Sequence, residues 1–433
     1  MAYVFVPISF PAICNPAFYF SFSRMQILLL ICSAALLLYF CFVLWSSRNF
    51  ARADVADKPP QDLEPLLSVI IPARNEEAHI ETCLNSVLQQ ACSAKMEVIL
   101  IDDHSTDQTR DLAERMTQAH PELRILSSEG NGKKAALASG IKAAKGSIIF
   151  QTDADCQMGE KWLESMWACF EAGADFVSGP VALKSETPFQ AMQAIESMGL
   201  VLFGAGFLLG GRPNMANGAN MAYRKKVFEE VQGYDGIDHV ASGDDELLLQ
   251  KIRLAGKYQL DFCKNPSAIV YTAAQKNWKA FKAQRIRWVS KSRAYLHKGP
   301  NLIQGISYLG FLTFPLLLMA AIQDIRYLYL AAAFFLLKLC IDLIIMLQAA
   351  RFFHNLQVLR WFIPLQFLYI PYVLWIGMAG ILAKSYSWKG RNVSSTTNSQ
   401  NCNFKFWIPF ILSKALNTLW KKPWSRLRWS RMN

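Results

Sequence analysis

Residues 146–155 read GSIIFQTDAD. The apolar run Ile148 to Phe150 stands between a glycine and a polar stretch that ends in two aspartates. Short apolar runs without polar alternation mark strands buried on both faces. Two further stretches have this form, LLSVIIPA (66–73) and MEVILIDD (96–103), and each closes on polar residues. Between them EEAHIETCLNSVLQQ (76–90) and GKKAALASGIKAA (132–144) carry helical periodicity. Strand–helix alternation predicts an α/β fold with an open sheet of parallel strands, whose ligands gather at the strands' carboxyl ends. The polar clusters fall at those ends, so a site is expected there.

The remainder of the chain has a different character. Its 433 residues leave room for segments beyond one catalytic domain, and 52% of them are hydrophobic. Residues 25–45 (MQILLLICSAALLLYFCFVLW) are uncharged and long enough to span a bilayer. Their apolar core exceeds that of a signal peptide, which predicts a retained anchor. Residues 1–24 give no structural signal, and Met25 is an alternative start. A polar linker over 46–65 leads to a catalytic domain over 66–275 and an amphipathic interfacial helix over 276–298. A membrane region over 302–383 follows, with candidate spans 302–321, 327–349 and 361–383. Within it Lys338 and Asp342 stand four apart, as a mutually compensating pair facing other helices. The apolar stretch 199–211 is short and reads as a core or membrane-grazing helix of the catalytic domain. Residues 384–433 form a basic tail without acids, which favours the cytoplasmic side. Three full crossings after a cytoplasmic domain would place that tail outside, so 302–321, with its Gly305, Gly310 and Pro315, is the segment expected to lie in the interface or re-enter.

The formal net charge is +12. The basic residues cluster beside apolar segments and in the tail, so membrane electrostatics account for the charge better than nucleic-acid binding does. The ten cysteines form no CxxC pair, and the six histidines form no metal-ligand pair. A disulfide framework and a zinc site are both excluded as expectations.

Asp153 and Asp155 in TDAD have the spacing to hold a hard divalent cation against a diphosphate. A lone DxD is more often a turn, but this one ends a strand beside other acids. Asp102 and Asp103 end another strand, and Asp103 suits a hydrogen bond from a base or ribose. Gly130, Gly132 and Lys133 at a helix start suit phosphate oxygens. This is no Walker A loop, because Ser127 stands where its first glycine would be and Lys134 replaces Ser/Thr. The run ASGDDELLLQKIRLAG places Asp244, Asp245 and Glu246 at a helix start, as dipole-favoured acids or as a general base near the metal. NGANMAYRK, from Asn217, reads as a tight turn and a strand lining a pocket. Gln284, Arg287 and Trp288 share one helix face. Around them Trp278, Phe281, Trp288 and Tyr295 form a stripe, with Lys276, Lys279, Lys282, Arg285, Lys291 and Arg293 supplying charge, as on a membrane-surface helix with snorkelling bases.

Taken together, PARNEE (72–77), DDHSTDQT (102–109), NGKKAAL (131–137), DADC (153–156), GDDELL (243–248) and QRIRW (284–288) resemble the membrane-bound family 2 glycosyltransferases, in that family's order. The resemblance implies a GT-A (Rossmann-like) nucleotide-sugar-binding domain flanked by transmembrane helices. It also implies inverting transfer from a nucleotide-sugar, commonly UDP-linked, to a membrane-associated lipid or glycan. A processive polysaccharide synthase is the variant of this reading. The resemblance gives Arg74, Glu76, Asp103, Lys133 and Asp153 to the nucleotide-sugar, and Asp155 with Asp153 to Mg2+ or Mn2+. It gives Asp245 to the base, and Gln284, Arg287 and Trp288 to the diphosphate or acceptor. Where the family often has Glu-Asp, this chain has Asp244-Asp245. Asp244 is therefore the one-residue alternative, or else orients the acceptor or caps the helix. The partners implied are a nucleotide-sugar donor, a membrane acceptor and the bilayer, with no nucleic acid, at the inner membrane with the catalytic domain cytoplasmic. A nucleotidyltransferase or a non-catalytic subunit of an export complex are the rivals. The first needs no QxxRW, and the second predicts loss of acids that are all present.

Overall fold

A computed structural model of the chain describes residues 16–56, 65–240, 242–382, 385–388 and 391–394. Helix α1 (Pro16–Arg52) leads to β1 (Leu67–Ala73), α2 (Ile80–Leu88), β2 (Met96–Asp102), α3 (Thr109–Met116), β3 (Leu123–Ser127), α4 (Lys133–Ala143) and β4 (Ile148–Gln151). Next come β5 (Gln157–Met158), α5 (Trp162–Glu171), β6 (Phe176–Ser178), β7 (Val181–Lys184), α6 (Pro188–Leu209) and β8 (Met221–Arg224). These are followed by α7 (Lys225–Glu230), α8 (Glu246–Ala255), β9 (Leu260–Phe262) and β10 (Val270–Ala273). Helices α9 (Trp278–Ser290), α10 (Gly299–Ala321), α11 (Arg326–Phe352) and α12 (Phe362–Leu382) precede a hairpin of β11 (Ser385–Trp388) and β12 (Arg391–Ser394). The tail from 395 onward and most of residues 1–24 lie outside the described residues.

The main sheet runs β3-β2-β1-β4-β8-β6-β9. Strands β3, β2, β1 and β4 are parallel, and β8 enters antiparallel between β4 and β6. Register sets the strand ends level, with Ala73 beside Asp102 and Asp102 beside Ser127. The apolar runs are continuous because both faces are covered. Ile70, Ile99, Ile101 and Ile149 point into one core, while Val69, Ile71, Val98, Leu100 and Phe150 point into the other, under α2 and α5. A smaller sheet, β5-β10-β7, brings β10 beside the DAD turn.

The first of those cores does not stop at the sheet. It continues through Leu202 of α6 to Phe40 and Val43 of α1 and Ile341 and Ile345 of α11. Among the described residues five helices are long and apolar enough to cross a membrane: Met25–Arg52, Pro188–Leu209, Gly299–Ala321, Arg326–Phe352 and Leu356–Gly380. Helix α1 runs past the expected end at residue 45, so 46–52 are helical rather than linker. There Ser46 donates to Phe203 O at 2.9 Å, and Ser47 donates to Gln348 Oε1 at 2.7 Å. The short apolar stretch 199–211 is the second half of the 22-residue α6. A capping box of Thr187 and Gln190, with Pro188 in the first turn, starts it a dozen residues earlier. The polar residues that hide this start from a hydropathy reading are satisfied internally, Gln193 by Gln275 O at 2.9 Å. Two glycines permit close helix contact. A Cβ on Gly206 would stand 2.1 Å from Ser46 O, and one on Gly310 would stand 2.9 Å from Leu36 Cα.

Lys338 and Asp342 meet at 2.6 Å, both buried. Tyr39 donates to the same carboxylate at 2.9 Å, and Lys338 also reaches Gln366. The pair thus faces other helices, tying α11 to α1 and α12 by satisfied polar contacts.

Candidate active site

The carboxyl ends of β1, β2 and β4 carry the expected residues, and the loops after β1 and β2 are fastened together. Arg74 Nη1 donates to the carbonyls of Asp103 (2.6 Å) and His104 (3.1 Å), while Glu76 N donates to Thr109 Oγ1 at 2.7 Å. Gln108 N donates to Glu77 at 3.0 Å. The Asp103 carboxylate accepts the Gly132 N–H at 3.0 and 3.1 Å, which fixes the start of α4 against β2. Among the described contacts Asp103 therefore orients the glycine loop.

Lys133, the first residue of α4, joins the two acidic motifs. Its Nζ lies 2.6 Å from Asp153 and 3.0 Å from Asp244, with only 17% of the side chain exposed. Burial alone would neutralise this lysine, but the two carboxylates outweigh it and hold the ammonium well above its ordinary range. Burial likewise pushes the Asp244 carboxyl up, yet Lys133 and Lys134 bring it below the usual aspartate value. Gln151, the polar end of the β4 run, donates to Asp244 at 3.0 Å and to Gly218 O at 3.2 Å. The NGAN turn and the acidic helix start thereby close on the end of β4.

Asp155 is exposed at the mouth and accepts from Thr272 Oγ1 of β10 at 3.4 Å. No group of three or more His, Cys, Asp or Glu side chains forms a ready metal cage among the described residues. The exposed Asp155 carboxylate, with the second oxygen of Asp153 beside the one that Lys133 engages, has the hard oxygen donors that a divalent cation takes together with diphosphate oxygens and water.

Asp245, not Asp244, caps α8. Its Oδ1 accepts the Glu246 N–H at 2.7 Å, and its Oδ2 accepts the Gly218 N–H at 3.2 Å. The capping role considered for Asp244 is unavailable to it, because its carboxylate is turned inward to Lys133 and Gln151. Lys291 stands 3.7 Å from Asp245 and 3.0 Å from Glu246, and Tyr295 also bonds Glu246. Burial raises the Glu246 carboxyl in spite of Lys291.

Helix α9 holds its QxxRW residues in two ways. Arg287 Nη1 donates to Ser242 Oγ at 3.2 Å, two residues before Asp244. Gln284 and Trp288 are instead bound to Arg285, whose guanidinium donates to Gln284 Oε1 at 2.9 Å and lies 4.3 Å from the Trp288 ring centre. Arg285 and Lys291 are therefore not snorkelling bases. Arg285 is 4% exposed and pairs with Glu196 of α6 at 2.6 Å, while its Nε donates to Tyr372 of α12 at 3.0 Å. The only usable sequence signal was Glu196, a lone acid in an otherwise uncharged helix. Gln151, Lys134 and Lys291 take their places here without any sequence signal for the partners they find. Beside the site, a cavity of about 640 Å³ lies between the α4 start and residues 228–240, lined among others by Lys133, Tyr234 and Asp238.

Residues 68–232 match the Glycosyl transferase family 2 domain. Glycosyltransferase AglE of Haloferax volcanii is 32% identical over 210 residues, covering 46% of this chain and 64% of that protein. The probable glycosyltransferase YdaM of Bacillus subtilis is 27% identical over 238 residues, covering 52% and 54%. This chain thus spans between half and two thirds of the length of these relatives. Among solved structures, the mannosyltransferase PcManGT from Pyrobaculum calidifontis, in complex with GDP-Man and Mn2+, is similar at a TM-score of 0.49 and 20% identity, over 82% of this chain and 96% of that one. Residues 68–232 thus match a family 2 glycosyltransferase domain, and the mixed sheet they build, with acidic motifs at its strand ends, has a GT-A-like α/β fold.

Proposed function

We propose that the protein transfers a sugar, with inversion, from a nucleotide-sugar to a lipid or glycan held at the membrane. The observation that carries this reading is Lys133, buried between Asp153 and Asp244. It joins the residues suited to the departing diphosphate with the segment that carries the base. In this reading Arg74, Glu76 and Asp103 hold the nucleotide, and Asp153 and Asp155 hold Mg2+ or Mn2+, which would neutralise the diphosphate. Asp245 takes the proton of the acceptor hydroxyl, since Asp153 and Asp155 are committed to the leaving group. Gln284, Arg287 and Trp288 close the cleft on the membrane side. The continuity of the sheet's core with the apolar helices supports an acceptor delivered from the bilayer, with the catalytic domain on the cytoplasmic face of the inner membrane and the basic tail beside anionic lipid. UDP-sugars are the first donors to test.

Purified protein in lipid, given a panel of nucleotide-sugars, should release nucleoside diphosphate from one of them and only with a divalent cation. Pyrophosphate release would favour a nucleotidyltransferase instead. A long polymer made from a single donor would favour processive synthesis, the variant that shares QxxRW.

A further inference from the structure

Two lysines to which the sequence motifs give no role hold the segment leading into the acidic pair. Lys134 Nζ donates to three backbone carbonyls, those of Ile237 (2.6 Å), Val240 (2.7 Å) and Ser242 (3.2 Å). Lys251 Nζ, from α8, donates to the carbonyls of Gln232 (3.1 Å), Gly233 (2.7 Å) and Asp235 (2.8 Å). An ammonium has three protons to give, and each lysine spends all three on one stretch of main chain. Residues 232–240 are turns and bends without helix or strand. The stretch forms one wall of the cavity beside Lys133 and runs directly into Asp244 and Asp245.

The two clamps differ in what they reach. Lys251 is partly exposed and fastens the distal half, whereas Lys134 is 6% exposed and ends on Ser242. Ser242 is also the residue that accepts from Arg287 of α9. Ser242 is thus held from α4 on its carbonyl and from α9 on its hydroxyl, two residues before Asp244. Lys133 meets Asp244 from the same helix end.

We propose that Lys134 is a positioning residue for the catalytic base, fixing the carbonyls of Ile237, Val240 and Ser242 so that Asp244 and Asp245 face the donor; this rests on the transferase reading above. It touches no substrate, and acts by holding three carbonyls on the loop. Burying an ammonium costs free energy, which the three carbonyls recover only while the loop keeps this shape, so the lysine and the loop conformation select each other.

The groups facing this ammonium are Asp238 on the loop, Asp244 and Asp245 at the α8 start, and Lys291 after α9. Burial pulls Lys134 down, the three aspartates pull it up and Lys291 pulls it down, for a net position of about 8. As pH rises through that value the neutral amine keeps two protons for three carbonyls, and the clamp loosens.

The test combines hydrogen–deuterium exchange with turnover for the full chain in lipid, comparing wild type, Lys134→Met and Lys251→Met. Lys134→Met should raise exchange at 237–245 while β1, β2 and β4 stay protected. It should lower kcat about tenfold or more with donor KM little changed, because small displacements of a base are costly. Wild-type turnover should fall as pH rises through about 8, and that fall should be absent from this variant. Lys251→Met should raise exchange at 232–235 and alter turnover far less. Unchanged exchange at 237–245 in Lys134→Met, or raised exchange with wild-type kcat, would overturn the proposal. A wild type that turns over no nucleotide-sugar would sink the transferase reading instead, and exchange would still decide whether Lys134 holds the segment.

Discussion

The guanidinium of Arg285 meets the carboxylate of Glu196 at 2.6 Å, with 5% and 7% of their side chains exposed. This pair ties α9 to α6, and the same guanidinium carries Trp288 on its face and Gln284 on its edge. Two QxxRW residues are thereby positioned by the residue between them.

Breaking that pair leaves a buried charge without its partner. Arg285→Met should lower stability by about 3–5 kcal/mol, whereas Arg285→Met with Glu196→Leu should recover most of the loss. Thermal unfolding in detergent measures both. Turnover should stay low in the double variant, because Gln284 and Trp288 lose their support. Full activity there would show that α9 is held in place without Arg285.

Asp155→Ala should abolish turnover while leaving Tm close to wild type, since the side chain is exposed and its contact with Thr272 is long. Two carboxylates facing a diphosphate repel it unless a cation intervenes. Full turnover in excess chelator would refute the metal's role.

Asp245→Asn is nearly isosteric and keeps an oxygen for the helix cap, so the protein should fold and bind donor while kcat falls by orders of magnitude. Asp244→Asn should act differently: it removes one of the two charges on Lys133 and weakens donor binding as well. Normal turnover in Asp245→Asn beside a dead Asp244→Asn would move the base one residue earlier.

Lys133→Met should shift the acid side of the pH profile. Burial raises the Asp244 carboxyl and Lys133 lowers it, with the net position below the ordinary value. In wild type the ionised carboxylate is therefore retained above the ordinary aspartate range and lost only as pH falls through its lowered value. Without Lys133 burial prevails, so that loss should begin at higher pH and the acid limb should move upward. An acid limb that stays in place would mean that Asp244 is not the group read there.

Much of this protein is written in short range. The runs at 67–73, 96–102 and 148–151 became parallel strands because an unbroken apolar run can only be buried on both faces, whichever chain carries it. The ends of those runs put Asp103, Asp153 and Asp155 at the carboxyl ends of β2 and β4, as the sequence predicts. The sequence by itself therefore determined the fold class, the edge of the sheet where the candidate site lies and the apolar helices around it.

Pairing was decided elsewhere. Lys133 and Asp244 are more than a hundred residues apart, and nothing local says that one ammonium will bridge Asp153 and Asp244. Arg285 and Lys291 look like surface bases on an amphipathic helix, and only the arrival of Glu196, Asp245 and Glu246 makes them interior cations. Lys134 carries no signal at all, because its partners are main-chain carbonyls, which every sequence possesses. A side chain's charge is fixed by its covalent structure. Its partner, and hence its role, depends on which distant groups the packed sheet and helices bring within about 3 Å.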